Sequence, residues 1–274
     1  ERKLGQRRSE FPGLVVSPIA FDTSELDTED WKFLMGAVGS DAMYVKKMNQ
    51  ILRHHRTNPS LASMYDGIAG ARLTDAQVEL ARTRLDFAKD YVRDGQFLSR
   101  QIRPGRLIIV DLRDETIEKD EALGLFMVMV KILANARYHE QPFNKLIVFD
   151  EAHKYMNTNF IDEVATVVRE MRHKGTTVLI ASQDPKSVPL PIIELSSQII
   201  LHQFSAPEWL RHIQKASTAL KDLTAGQLNV LDKGQAYIWS REATHHLFEA
   251  RAVKIDIRPR VTKHGGGTLT AVRE

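Results

Sequence analysis

Asp150 and Glu151 stand side by side after an apolar run, in the stretch Lys-Leu-Ile-Val-Phe-Asp-Glu-Ala-His at residues 145–153. The apolar residues 146–149, which include the β-branched pair Ile147 and Val148, predict a strand buried on both faces. Its two carboxylates then lie at the C-terminal edge of a sheet, where open α/β folds place their ligands. Carboxylates at such an edge can serve a cation or a water. The plainer alternative is that both merely begin the next helix, where acidic side chains suit the dipole. Two more apolar runs end in polar residues: 107–110 in Asp111, and 177–181 in Ser182 and Gln183. Three such ends on one edge point to a site.

The remaining elements must carry that edge. Residues 11–21 predict an extended segment fenced by Pro12 and Pro18, and helices follow for about eighty residues. Asp27 or Thr28 caps the first of these helices, and Gly36 and Gly39 end it. A second helix carries Tyr44, Val45, Met48, Ile51 and Leu52 on one stripe, with Lys46, Lys47, Arg53 and Arg56 elsewhere, a basic face that reads first as solvated surface. Thr74 with Gln77 makes a capping box for a helix through Val78, Ala81, Leu85, Ala88 and Val92. Residues 119–137 predict a helix apolar almost all round, hence buried. Strand–helix alternation resumes from there, with further strands expected at 198–204, 235–239 and 252–257. The expected organisation is an extended entry segment at 1–22, a helical insertion at 23–100, a core at 101–257 and an arm at 258–274.

The composition of the 274 residues, 43% hydrophobic and 27% charged, suits one sizeable α/β domain or a domain with an insertion. No apolar run is long enough to span a bilayer and no signal peptide is visible, so no membrane partner is expected. The absence of cysteine excludes disulfides and thiolate metal sites, and a cytoplasmic setting is the natural expectation. A net charge of +3 permits nucleic-acid binding without arguing for it. The pairs His54-His55 and His245-His246 read as surface histidines, because adjacent residues do not converge on one ion. The chain opens with Glu1 rather than Met, which reads as a piece of a longer protein.

The strand ending in Asp150-Glu151 resembles the Walker B element of P-loop NTPases. Taken with Arg169 to Gly175, with Ala181-Ser182-Gln183-Asp184-Pro185, and with Ile257-Arg258-Pro259-Arg260 before His264-Gly265-Gly266-Gly267, it resembles the HerA branch of the HerA/FtsK translocases. The stretch from Phe21 to Leu34 is similar to that family's entry into its helical insertion. Met171 and His173 depart from the family's Gly and Lys. The resemblance implies a RecA-like α/β core with a mainly parallel sheet, ATP and Mg²⁺ as cofactors, and DNA translocase or helicase activity. By position, Asp150 would hold Mg²⁺ directly or through water, Glu151 would activate water, and Gln183 would sense the γ-phosphate. Arg172 would be an arginine finger for a neighbouring subunit, with Arg169 second; a helix-end cation is the plainer alternative for Arg172. The implied partners are double-stranded DNA, further copies in a ring, most simply a hexamer, and a nuclease or other effector in DNA end processing or defence against phage. Arg137, His139 and Lys145 are guesses for a pore-lining loop.

No Gly-x-x-x-x-Gly-Lys-Ser/Thr occurs in the 274 residues. The backbone cradle and lysine for the β- and γ-phosphates are thus missing, and the expectation is that the family's P-loop lies upstream. Asp150-Glu151-Ala152-His153 also spells the box of a superfamily 2 helicase, but Ser182-Gln183 stands where that family has Ser-Ala-Thr. The alternative of another class is a catalytically silent RecA-like assembly or DNA-binding scaffold.

Overall fold

Three helices in the N-terminal part begin where a side chain takes free N–H groups of the first turn. In the computed structural model, which describes residues 2–36, 43–54, 59–111, 119–154, 161–259 and 261, the chain divides into two compact units, Glu1–Gln183 and Asp184–Glu274. The first unit opens with α1 (Arg2–Glu10) and an extended segment ending at Phe21. In α2 (Thr28–Leu34) the Asp27 carboxylate accepts from the amides of Glu29 and Asp30 at 2.8 and 2.9 Å. Asp30 returns the bond to the Asp27 amide at 2.9 Å, closing a capping box. Three helices follow: α3 (Met43–His54), α4 (Leu61–Ala69), capped by Ser60, and α5 (Asp75–Tyr91), capped by Thr74 with Gln77 as its spacing predicts. Met48, Leu52, Met64, Ile68 and Leu85 bury their side chains in the seam among them. Phe21 and Val92 meet in a parallel bridge, so the two ends of the helical block are stitched together.

The helix α6 (Lys119–Asn135) is buried along nearly its whole length, as its unbroken apolar sequence requires. It runs antiparallel to α2. Gly124 lies against the Phe33 carbonyl so closely that a Cβ there would meet the oxygen at 2.1 Å. Farther along α6, the Lys131 ammonium reaches the acidic first turn of α2, 2.9 Å from both Glu29 and Asp30 and 3.2 Å from Asp27.

A hairpin of β1 (Arg137–Tyr138) and β2 (Gln141–Pro142) leads into β3 (Lys145–Phe149). After α7 (Ile161–Met171) the chain turns at Gly175, φ 63°, and enters β4 (Thr176–Ile180), which pairs with β3 in parallel from Lys145↔Thr176 to Phe149↔Ile180. Any side chain at 175 would also crowd Asn144 and Phe143. One face of this pair is covered: Phe149 stacks obliquely on Phe126 of α6, ring centroids 5.0 Å apart.

Three expectations are corrected here. The strand β3 is not buried on both faces, since Leu146 is 63% and Val148 53% exposed, with Leu179 of β4 on the same open side. The run 107–110 is extended but joins no ladder among the described residues, and Leu107 and Ile109 are exposed. Among the described residues the fold is mixed α/β with small sheets, β3–β4 being the parallel pair, and the core is not clearly the mainly parallel, RecA-like sheet expected. The physical reason is that apolar, β-branched sequence specifies strand but neither its partner nor its direction.

In the second unit, α8 (Leu190–Leu195), β5 (Gln198–Leu201), α9 (Pro207–Ala216), α10 (Ala225–Asn229), β6 (Gln235–Ser240), α11 (His246–Ala250) and β7 (Val253–Asp256) follow in order. Here β6 lies between β5 and β7 in an antiparallel sheet. The Trp239 indole donates to the Glu249 carbonyl at 2.8 Å and ties α11 to β6. No helix among the described residues is long and apolar enough to cross a membrane.

Candidate functional site

The parallel register decides what meets at the C-terminal ends of β3 and β4. The Ala181 amide donates to the Phe149 carbonyl at 2.8 Å, and the Ala152 amide to the Ala181 carbonyl at 2.9 Å. These bonds carry the ladder past the strand ends and hold residues 150–152 beside 181–183. Glu151 takes a left-handed backbone, φ 53°, uncommon for a residue with a long side chain. Such geometry costs of order 1 kcal/mol and recurs at functional sites.

The carboxylate of Glu151 is held from several sides. Its Oε1 accepts from the Gln183 amide nitrogen, and its Oε2 lies 3.5 Å from both His153 Nε2 and Lys154 Nζ. Asp150 is exposed and accepts from the Glu151 amide at 3.0 Å through one oxygen. The Nδ1 of His153 is buried without a hydrogen-bond partner. Chemically the arrangement offers a carboxylate for a cation, Asp150, next to a carboxylate and a carboxamide that together can orient a water.

The sequence-expected residues divide clearly. Asp150, Glu151 and Gln183 come together. Asp111 does not join them as a strand end; it pairs with Arg7 of α1 at 2.8 Å. Arg169 is exposed in the last turn of α7, and Arg172 begins the 3-10 turn into the N-terminal end of β4. That end is the far one from Gln183, about 16 Å along a five-residue strand. The Arg172 side chain lies outside the described residues, as do His55, Arg56, Gly39, Arg260 and the glycines of 265–267. The histidines 245 and 246 stack on each other, and no group of three or more metal-ligating side chains occurs among the described residues.

Sequence reasoning missed His153 and Lys154 as partners of Glu151. Their spacing two and three residues after it was the available signal, and it becomes informative only once the 3-10 turn at Ala152–Lys154 folds them back. The guessed loop of Arg137, His139 and Lys145 is the exposed hairpin, whose turn residues His139 and Glu140 both take left-handed backbone. Burial first, then the nearby Arg137 and Lys174 charges, pushes the Lys145 ammonium below its ordinary range.

No family model matches the chain, and no curated protein does. Among solved structures, the genome packaging NTPase B204 from Sulfolobus turreted icosahedral virus 2, in complex with AMPPCP, is similar over 52% of this chain at 13% identity, with a TM-score of 0.36. This chain covers 62% of that structure, under two thirds of its length.

Proposed function

We propose that this chain is the nucleotide-hydrolysing subunit of a ring-shaped motor that moves along double-stranded DNA. The observation that carries the reading is the pairing of Glu151 with Gln183 across the ends of two parallel strands, beside the exposed Asp150. A carboxylate that can take a proton from water and an amide that can report on a phosphate, on neighbouring strands, are what phosphoryl transfer to water asks of a protein. The donor set fits Mg²⁺ in the form that ion usually takes, bound by one or two carboxylates while waters and nucleotide phosphates fill the other positions. Asp150 would hold it, and the ion would neutralise charge on the phosphates. Arg172 or Arg169 serves a neighbouring subunit in this reading. A nuclease or other effector completes the assembly.

The full engagement of Glu151 by Gln183, His153 and Lys154 favours a second reading, a silent scaffold in which this carboxylate is structural. ATP hydrolysis by the full-length gene product, with and without duplex DNA and beside Glu151→Gln, separates the two. DNA-stimulated turnover that falls by roughly 10² to 10⁴ in the variant establishes the motor. No turnover from intact oligomers sinks it in favour of the scaffold.

A further inference from the structure

Three arginines at intervals of three, Arg100, Arg103 and Arg106, crowd one exposed loop. The Arg103 Nε donates to the Arg100 carbonyl at 3.2 Å, and Arg106 donates to the Gln101 carbonyl at 3.0 Å. Both guanidiniums therefore gather at residues 100–101, where Arg100 itself lies over the Phe97 ring at 3.6 Å. None of the three forms an ion pair among the described residues.

The nearby carboxylates accept backbone amides, although the Arg100 charge also acts on Asp22. Glu25 accepts the amides of Leu98 and Ser99 at 2.9 and 2.8 Å, and Asp22 accepts that of Gly95 at 2.6 Å. Those bonds fix the loop from beneath, and they consume the backbone N–H groups that would cradle a small anion. What remains exposed is a cluster of like charge on a loop held by those bonds. Guanidinium forks match phosphate oxygens two at a time, and three exposed arginines along one loop suit a polymer that brings successive phosphates to them.

We propose that Arg100, Arg103 and Arg106 form a phosphate-binding ridge for the backbone of duplex DNA. This rests on the motor reading for the identity of the polymer, and its geometry is independent of the Glu151 site. The test measures binding of a labelled mixed-sequence duplex to the full chain over a salt series. The variant Arg100→Gln/Arg103→Gln/Arg106→Gln is compared with the charge-matched control Arg82→Gln/Lys89→Gln/Lys221→Gln. Each phosphate contact contributes about 0.9 to the slope of log affinity against log salt, so the ridge variant loses roughly 2 to 3 in slope and at least about tenfold in affinity, equally across sequences. The control stays near wild type. Equal losses in both variants, or an unchanged slope in the ridge variant, overturn the ridge while leaving the motor reading intact. Wild type that does not bind duplex at all overturns both. Displacement of the duplex by poly-glutamate as readily as by unlabelled duplex overturns the assignment to phosphate.

Discussion

Replacing Lys131 by Met should destabilise the protein more at pH 7 than at pH 5, because the Lys131 ammonium is what lets Asp30 ionise inside the α2–α6 seam. Asp30 is 3% exposed, and burial pushes its carboxyl up from 3.8 to about 6 even with Lys131 present. Lys131 stands 2.9 Å from Asp30 Oδ1, an ion pair whose direction falls short of a hydrogen bond to that oxygen. A carboxyl raised in the folded state contributes its full stability below 3.8 and loses it as pH rises through about 6. With Lys131 in place that loss levels off at about 3 kcal/mol, the shift multiplied by about 1.36 kcal/mol per unit. Without the cation Asp30 stays protonated at pH 7, and holding that proton against a reference of 3.8 costs about 4 kcal/mol. The extra cost at pH 7 is thus about 1 kcal/mol, whereas at pH 5 Asp30 is mostly protonated in both proteins and the difference nearly vanishes. The Lys131 ammonium, itself raised by these carboxylates despite the opposing effect of burial, stays charged throughout this range and adds no slope of its own. Its pairs with the exposed Asp27 and Glu29 add only a small, pH-independent loss. Urea unfolding of wild type and variant at both pH values measures the quantity directly, and Asp30→Asn in the Lys131→Met background should erase the pH dependence while keeping an acceptor for the Asp27 amide. A destabilisation of the same size at pH 5 and pH 7 would refute the account.

Two further outcomes follow from close contacts. Gly124→Ala places a Cβ 2.1 Å from the Phe33 carbonyl oxygen, a backbone atom that cannot rotate away, and should cost about 3 kcal/mol or more in thermal or urea unfolding. Gly67→Ala brings a Cβ to 2.6 and 2.9 Å from Cγ2 and Cγ1 of Ile51, two branches of one stiff carbon that cannot both swing away, so despite a helix-propensity gain of about 1 kcal/mol it should destabilise by about 1 to 2 kcal/mol. At the site, Gln183→Leu removes the donor to Glu151 and should lower hydrolysis by the assembled protein by at least about tenfold, with unfolding stability reduced by no more than about 2 kcal/mol. Equal loss of nucleotide binding in that variant would show that Gln183 holds the ligand rather than the carboxylate.

Local chemistry explains what the sequence made legible. Thr74 and Gln77 announce the start of α5 because a capping box is a bond between residues three apart. The all-apolar stretch of α6 announces burial because no face is left for water. Asp150, Glu151 and Gln183 were readable as one group because parallel strands bring their C-terminal ends to one edge. The rest depends on partners distant in sequence. Nothing in 107–110 states that this apolar run joins no ladder among the described residues, and nothing in 198–201, 235–240 or 253–256 states that those strands run antiparallel. The turn at His139 and Glu140 was hidden for another reason: two-residue turns with left-handed backbone usually advertise themselves with Asn or Gly, and neither residue is present. The convergence of Arg103 and Arg106 on residues 100–101 needed the pinning of the loop by Asp22 and Glu25, some seventy residues away.

The half-covered state of β3 and β4 bears on how the site works. Parallel strands are ordinarily buried on both faces, and this pair buries Phe149 while leaving Leu146, Val148 and Leu179 open. Its alignment therefore rests on the covered face, on the five-residue register, and on the bonds from Ala181 to Phe149 and from Ala152 to Ala181. Glu151 sits one residue past that ladder with a strained backbone, and its side chain is fixed by Gln183 from the other strand. A slip of either strand by one residue would move Gln183 to the opposite face and leave Glu151 with His153 and Lys154 alone. The position of Glu151 relative to Gln183 is thus a direct readout of β3–β4 register. Whatever tightens the β3–β4 pair therefore tightens the contact between Glu151 and Gln183 with it.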